Sequence, residues 1–309
     1  MKLVRQVIRF QNHPDRLRYQ GQNITVAILD SGIAPHPDFG GRILDFQDLL
    51  NGKNAPYDDC GHGTHVAGII GGSGRMSGGT YAGIAPACSL IMLKILDRKG
   101  DGSVQNLLRG VEWVLAHRRA YEIRIVNISV GTLPGVEEKP QKAVLEAVDE
   151  LWDSGVVVIT AAGNYGPKKG SITIPGISRK VITVGSSEDK VCRDASGRHL
   201  KTYSGRGPTP DCICKPDLVA PGSYLMSCNA FYKAGKGRRG NAPRPYTEKS
   251  GTSMSTPVVS GAVAVLLSKY PEMSNVEVKL KLRESCRDLK LPRERQGWGL
   301  LDMEKLLRL

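Results

Sequence analysis

The chain has 309 residues, of which 40% are hydrophobic, and it carries a formal net charge of +13. Its length suits one large α/β domain or two small ones, with a sizeable core. No run of about 18 apolar residues is present, so no membrane span is predicted. The basic residues are scattered without a groove-reading motif, so we expect a basic surface and no nucleic-acid partner.

The N-terminus and the cysteines indicate the cellular compartment of the protein. Arg5 and Arg9 interrupt the first apolar positions and no small-residue cleavage site follows, so we read no signal peptide. The seven cysteines are an odd number without a disulfide framework, and Cys212 and Cys214 are spaced too closely for a zinc site. We therefore expect free thiols in a cytoplasmic protein.

Apolar runs of strand length alternate with helical patterns along the chain. This predicts an α/β fold with three layers, in which a mostly parallel central sheet carries helices on both faces. Strands are predicted over 24–29, 89–96, 123–130, 156–160 and 181–184. Helices are predicted near His62, over 104–115, over 144–152, near Ser253 and over 276–282.

Four polar residues fall at the ends of these elements. Asp30 ends the first strand, Asn164 follows the strand over 156–160, and His62 and Ser253 open helices. Ligands of open parallel sheets bind beyond the carboxyl ends of the strands. We therefore expect all four side chains to converge at one edge of the sheet.

Three of these residues have the side chains that catalysis of acyl transfer needs: a nucleophile, a base and an acid that orients the base. Ser253 lies where a helix dipole favours negative charge, after the turn that Gly251 allows. Asp30 follows an apolar strand and needs a partner, which an imidazole N–H supplies. Taken singly, each has an ordinary alternative: a helix cap, a solvated histidine and a turn aspartate.

His62 and His65 are three positions apart on one helical face, a spacing that also suits metal ligands. The zinc-protease pattern, however, needs a glutamate directly after the first histidine, and Gly63 stands there. We therefore read His62 as a base rather than as a ligand.

The segments Asp30-Ser31-Gly32, His62-Gly63-Thr64-His65 and 251–257 resemble the subtilase family of serine proteases, as does the chain order Asp, His, Ser. The resemblance spans about 24–301 and looks closest to bacterial cytoplasmic subtilases, on the segments 204–208 and 215–217. It implies a subtilisin-like peptidase domain over 21–309 behind an N-terminal extension, 1–20. The implied activity is a serine endopeptidase that cleaves unfolded or flexible protein segments through an acyl-enzyme.

The resemblance also implies residue roles. Ser253 is the nucleophile, His62 the base and Asp30 its orienting acid, while His65 is a packed structural residue. Asn164 supplies the oxyanion hole together with the Ser253 N–H, and an extended peptide binds as an added strand. Substrate binding is assigned to Gly102, Ser103, Val104, Ser129, Val130, Gly131, Ala161, Gly163 and Thr173.

Within the implied specificity pocket, Thr173 lies near the floor and Tyr165 near the rim. A threonine floor is narrower than a glycine one, so we expect medium-sized apolar side chains before the scissile bond.

Three features depart from the family pattern. Many secreted relatives bind calcium through an aspartate that Asp38 matches, but the loop 71–81 is longer here and carries Arg75, so we predict no metal site. No cofactor is expected for the chemistry. We expect no folding propeptide before the domain, and we hypothesise that residues 1–19 lie over the cleft. A basic loop over 230–249 either attracts acidic substrates or is simply solvated.

Two other functions remain open on the same fold. One is a regulatory pseudoprotease, against which the intact residue set argues, and the other is an esterase or peptide ligase. We expect a protein or peptide substrate and no membrane partner. The sequence assigns no oligomeric state.

Overall fold

The computed structural model of the chain describes residues 1–132, 138–187, 202–233 and 244–308. Seven parallel strands form one sheet in the order β2-β3-β1-β4-β5-β6-β7. In chain order they are β1 (Thr25–Asp30), β2 (Ile43–Asp48), β3 (Ser89–Lys94), β4 (Ile123–Ile128), β5 (Val157–Ala161), β6 (Ile182–Ser186) and β7 (Leu218–Ala220). A separate antiparallel pair is made by β8 (Leu225–Cys228) and β9 (Tyr246–Lys249).

Helices pack around this sheet. They are α1 (Lys2–Val7), α2 (His62–Gly71), α3 (Val104–His117), α4 (Glu138–Asp153), α5 (Thr252–Lys269), α6 (Asn275–Ser285), α7 (Arg293–Gln296) and α8 (Met303–Leu306). Helices α2 and α5 contact each other and the sheet, and α3 and α4 form a second pair that contacts β1 and β5. Across the described ranges, no helix is long and apolar enough to cross a bilayer. The predicted α/β fold with a parallel sheet is confirmed.

The predicted elements are present with small shifts at their ends, and four strands were not predicted. Strand β2 lies at the edge of the sheet and half of its residues are polar, and β7 has only three residues. Strands β8 and β9 are four residues each. The segment predicted as one basic loop therefore ends in a strand, since its last four residues form β9. Its residues Lys236, Arg238 and Arg239, and Cys192 elsewhere, lie outside the described residues.

The sheet order determines where a ligand can bind. Strand β1 lies between β3 and β4, so the chain connections leave it toward both sides of the sheet. The carboxyl ends of these three strands border a crevice at this switch point. Asp30 is the last residue of β1, and Ser129 follows β4 directly.

The N-terminal segment is part of the hydrophobic core. Ile8 and Phe10 are almost fully buried, and the Ile8 carbonyl accepts a hydrogen bond of 2.8 Å from the Met303 N–H. Lys269 of α5 pairs with Asp15 at 2.7 Å. None of residues 1–19 lines the active-site cleft described below. The hypothesis that this segment covers the cleft is therefore wrong, because its apolar side chains are held elsewhere in the core.

We expect Phe10→Ala to lower the free energy of unfolding by about 3–5 kcal/mol, because it leaves a cavity in a packed core. The measurement is the urea midpoint followed by tryptophan fluorescence, in a Ser253→Ala background that prevents self-digestion. The control is Leu3→Ala on the same segment, whose side chain is 69% exposed and whose loss is expected to change stability by less than about 0.5 kcal/mol. Equal effects of the two variants would contradict a core role for the segment.

Candidate active site

Asp30 and His62 form the centre of the site. Asp30 is fully buried at the end of β1, and its Oδ1 accepts hydrogen bonds from His62 Nδ1 at 2.7 Å and from the Ser31 N–H at 2.7 Å. A carboxylate in this position fixes which imidazole nitrogen carries the proton, and it stabilises the imidazolium when one forms. His62 Nε2 is then the nitrogen that is free to accept a proton.

His62 is the first residue of α2, and its side chain is 23% exposed. Burial lowers the pKa of the imidazole, but the charge of Asp30 and its hydrogen bond outweigh that effect, so the pKa of His62 is raised above 6.5. Smaller contributions to this pKa oppose each other, since Lys249 lowers it and Asp58 raises it.

Ser253 is the second residue of α5. Gly251 precedes this helix with φ of 149°, and a side chain there would stand 3.2 Å from Asn164 Nδ2, so glycine is needed for the turn. The Ser253 hydroxyl donates to the Ser129 carbonyl at 2.7 Å. Within the described structure no hydrogen bond joins it to His62, so the contact between nucleophile and base requires rotation of the serine side chain.

Asn164 is oriented by a residue that sequence analysis did not identify. Its Oδ1 accepts from the Thr252 N–H at 2.9 Å and from Thr252 Oγ1 at 3.0 Å, which leaves Nδ2 as the outward donor. The N–H of Ser253, in the first turn of α5, has no acceptor among the described residues. Two donors thus border the position where an oxyanion would develop next to Ser253.

Asp58 is a second residue that was not identified. Its carboxylate accepts five hydrogen bonds, from Ser31 Oγ, from the N–H groups of Cys60, Gly61 and Thr64, and from Thr64 Oγ1, at 2.6–3.1 Å. Ser31 Oγ in turn accepts from the Gly63 N–H at 2.9 Å. Asp58 therefore connects the loop after Asp30 to the first turn of the helix that carries His62.

Lys94 also holds the loop that follows Asp30. It is fully buried at the end of β3, and its ammonium donates to the Ser31 carbonyl at 2.6 Å, the Leu96 carbonyl at 2.8 Å and Asp59 Oδ1 at 2.7 Å. A lysine inside an apolar strand run is costly to bury without such partners. A lysine at the end of an apolar strand is therefore the sequence signal by which Lys94 can be found.

His65 has a structural environment. Its Nε2 contacts the carbonyls of Leu225 at 2.9 Å and Thr247 at 3.1 Å, which ties α2 to the β8–β9 pair. Burial, with the charges of Lys249 and His62, lowers the pKa of His65 to about 3. His65 is therefore neutral wherever His62 titrates.

His62 and Ser253 line a cleft of about 540 Å³. Six of the residues assigned to substrate binding line the same cleft, and they are Ser129, Val130, Gly131, Ala161, Gly163 and Thr173. Side chains added at Gly131 or Gly163 would stand 2.7 Å and 2.4 Å from Thr173 atoms, so both glycines are required for its close packing. Tyr165 lines the cleft as well and is 53% exposed.

The other three assigned residues line a neighbouring, more apolar pocket of about 240 Å³ that also contains Leu96. Gly102 forms a bridge with Leu96, but Ser103 caps α3 through its Oγ and Val104 is the first residue of that helix. Val104 therefore has helical backbone, because the serine cap starts α3 there, and the substrate-binding role of 102–104 stays a prediction.

The family's calcium position is filled by hydrogen-bond donors. The Asp38 carboxylate accepts from the N–H groups of Gly74 and Met76 at 3.0 and 3.1 Å and from Tyr246 Oη at 2.8 Å. From the N-terminal helix, Arg5 donates to the carbonyls of Thr80 and Ala82. A calcium ion needs free oxygens, so these residues do not fit one.

His36 Nδ1, an Asp38 oxygen and Cys228 Sγ lie within 4.8 Å of one another. His36 Nδ1 already accepts from the Asp38 N–H at 3.2 Å, and the carboxylate oxygens are occupied as described. This buried cluster is therefore satisfied internally.

Comparison with known proteins agrees with the geometry. The model of the subtilase family matches residues 21–299. The chain is 38% identical over 269 residues to serine protease AprX of Bacillus subtilis, covering 85% of this chain and 61% of that protein. It is 31% identical over 274 residues to subtilisin DY of Bacillus licheniformis, covering 88% and 86%. The chain belongs to the subtilase family.

Solved structures share the fold across nearly the whole chain. A cold-adapted subtilisin-like serine proteinase aligns with a TM-score of 0.71 at 28% identity, covering 92% of this chain and 90% of the other. A psychrophilic protease, S41, aligns with a TM-score of 0.77 at 26% identity, covering 97% and 96%. The chain spans about three fifths of AprX and 38% of a second relative, the minor extracellular protease Epr of Bacillus subtilis.

We expect Asp58→Asn to lower kcat/KM by up to about 100-fold, because it loosens the link between the Asp30 loop and His62. The apparent pKa of the activity should also fall, since the Asp58 charge raises the pKa of His62. The measurement is a pH profile of kcat/KM well below the unfolding temperature.

The matched control for this change is Asp153→Asn, at a surface ion pair with Lys180. It should leave the profile unchanged. A loss of stability in Asp58→Asn with an unaltered profile would show that Asp58 does not position His62.

The raised pKa of His62 predicts the acid side of the activity profile. The base works only when neutral, so kcat/KM should fall tenfold per pH unit once the pH drops below an apparent pKa above 6.5. Asp30→Asn removes the cause of the shift, so its acid limb should move to lower pH while the rate falls by about 10⁴.

His117→Gln, at the end of α3, is the control and should leave the acid limb in place. If the acid limb of kcat/KM lies at the same pH in Asp30→Asn as in wild type, the assignment of this titration to the Asp30–His62 pair is contradicted.

Proposed function

We propose that the chain is a serine endopeptidase that cleaves unfolded or flexible protein segments through an acyl-enzyme intermediate. The observation that carries this proposal is the 2.7 Å contact of Asp30 with His62 in the cleft that Ser253 also lines. The named relatives support the same class, since AprX is a serine protease and subtilisin DY a subtilisin. Subtilases need no cofactor for this chemistry.

In the proposed reaction, the Ser253 side chain rotates from the Ser129 carbonyl toward His62 Nε2. His62 takes the hydroxyl proton while Oγ attacks the substrate carbonyl, and Asp30 stabilises the resulting imidazolium. His62 then gives the proton to the leaving amine, and water releases the acyl group by the same steps.

The oxyanion of the tetrahedral intermediate would accept hydrogen bonds from Asn164 Nδ2 and the Ser253 N–H. Thr252 contributes by holding the Asn164 carbonyl oxygen, so that the amide cannot turn its acceptor toward the developing charge. Loss of the side-chain donor costs about 10²–10³ in turnover in subtilisin, the type enzyme of this family.

The proposed pocket for the residue before the scissile bond is walled by Ser129, Gly131 and Gly163 and ends at Thr173. The threonine methyl and hydroxyl pack against both glycines, which shortens the pocket. This supports a preference for medium-sized apolar side chains over large aromatic ones.

For location, we propose a reducing compartment, in accord with the cytoplasm. The six cysteines among the described residues are all free, and Cys212 and Cys214 are exposed thiols only two positions apart. Secreted proteins typically hold such cysteines in disulfides.

The function is tested with casein, with the purified chain and its Ser253→Ala variant. Cleavage should be lost in the variant, and a serine-directed covalent inhibitor should label wild type alone. Ser154→Ala, at the end of α4, is the matched serine control and should cleave normally. Labelling without cleavage of casein, together with turnover of esters, would favour an esterase, and absence of labelling would favour a pseudoprotease.

A further inference from the structure

The charge of the cleft is a feature that the catalytic machinery does not explain. Among the described residues that line it, two are cationic, Lys99 and Lys249, and none is an aspartate or glutamate. Within the same described part of the chain, neither lysine takes part in an ion pair. The cleft thus presents two lysine side chains, and no carboxylate among its described lining residues, to the peptide that enters it.

Lys249 is held on the His62 side of the cleft. It is the last residue of β9, and the Thr247 carbonyl of that strand lies 3.1 Å from His65 Nε2 on α2, the helix that begins with His62. Thr252, three residues later, begins α5 and its nucleophile. The backbone on both sides of Lys249 is therefore anchored to the catalytic helices.

The electrostatics place the Lys249 charge close to the base. Its positive charge lowers the pKa of both His62 and His65. Lys249 is half-buried, so part of its side chain packs against the protein at the edge of the cleft.

The two sides of the cleft have different roles in the proposed reaction. The acyl side is the pocket bordered by Ser129, Gly131 and Thr173. The leaving amine receives its proton from His62, so the residue after the scissile bond must lie beside His62. We assign Lys249 to that leaving-group side, because the strand that carries it contacts α2, the helix that begins with His62. Lys99 lines the cleft together with Leu96 and Gly100, which also line the neighbouring apolar pocket.

We propose that Lys249 gives this enzyme a preference for substrates with an acidic residue directly after the scissile bond. The preference rests on the proposed peptidase function and names its substrate class: acidic, extended protein segments. A bound peptide displaces water from the cleft, which strengthens the attraction between its carboxylate and the lysine ammonium. The overall charge of +13 acts in the same direction by attracting acidic chains to the surface.

The test uses two internally quenched peptides that differ only in the residue after the scissile bond, Glu in one and its neutral isostere Gln in the other. Mass spectrometry confirms the cleaved bond. For wild type, kcat/KM should be about 1.5- to 5-fold higher for the Glu peptide at low salt, the range expected for a partly exposed ion pair. The ratio should approach one as salt is raised toward about 1 M.

Substitution of the lysine separates a local contact from general attraction. Lys249→Met should bring the Glu/Gln ratio to about one, and Lys249→Glu should invert it. Lys290→Met removes the same charge at a solvent-exposed pair with Asp288, outside the cleft, and should keep the wild-type ratio. A second readout does not depend on the substrate: the acid limb of kcat/KM for the Gln peptide should move to higher pH in Lys249→Met, because a charge that lowers the pKa of His62 is gone.

The outcomes distinguish this inference from the function on which it rests. If cleavage of the Gln peptide requires Ser253 but the wild-type Glu/Gln ratio of kcat/KM is one, the acidic preference is overturned and the peptidase function stands. The same conclusion follows if Lys249→Met keeps the wild-type ratio. Absence of Ser253-dependent cleavage of either peptide overturns both.

Discussion

The buried carboxylate of Asp30 is the constraint on which the rest of the site depends. A carboxylate at the end of a fully buried strand needs hydrogen-bond donors, and here the Ser31 N–H and His62 Nδ1 both donate to its Oδ1. The need to partner one charge thus sets the position of the base. The same loop is held from two further directions, by Asp58 through Ser31 and by Lys94 through the Ser31 carbonyl.

This arrangement explains why the site lies where the sheet order reverses. Strand β1 is flanked by β3 and β4, so the loops that follow Asp30, Lys94 and Ile128 all open into one crevice. Helix α5 packs against the sheet with its N-terminus at that crevice, where the Ser253 N–H has no acceptor among the described residues. Helices and strands hold the proposed nucleophile, base and oxyanion donors, and in the proposed reaction only the serine side chain has to move.

Donors of the protein itself occupy the oxygen atoms around Asp38 and at the end of the loop that follows α2. The Arg5 guanidinium reaches the carbonyls of Thr80 and Ala82, and Asp38 is surrounded by N–H and hydroxyl donors. The N-terminal segment that supplies Arg5 is thereby part of the domain's core rather than a separate cover. Burial, helped by the charge of Arg16, lowers the pKa of Arg5 to about 10, which still leaves the guanidinium charged at neutral pH.

The sequence by itself determined the family, the α/β fold and the identity of Asp30, His62, Ser253 and Asn164, because short motifs and buried strands have strong local signals. Only the tertiary structure decided the roles of Asp58, Thr252 and Lys94, which act through hydrogen bonds that bring separate loops together. It also decided that apolar residues of the segment 1–19 pack into the core and that Lys249 lines the same cleft as His62. Such placements depend on which surfaces meet after folding, and residue spacing along the chain carries no record of those contacts.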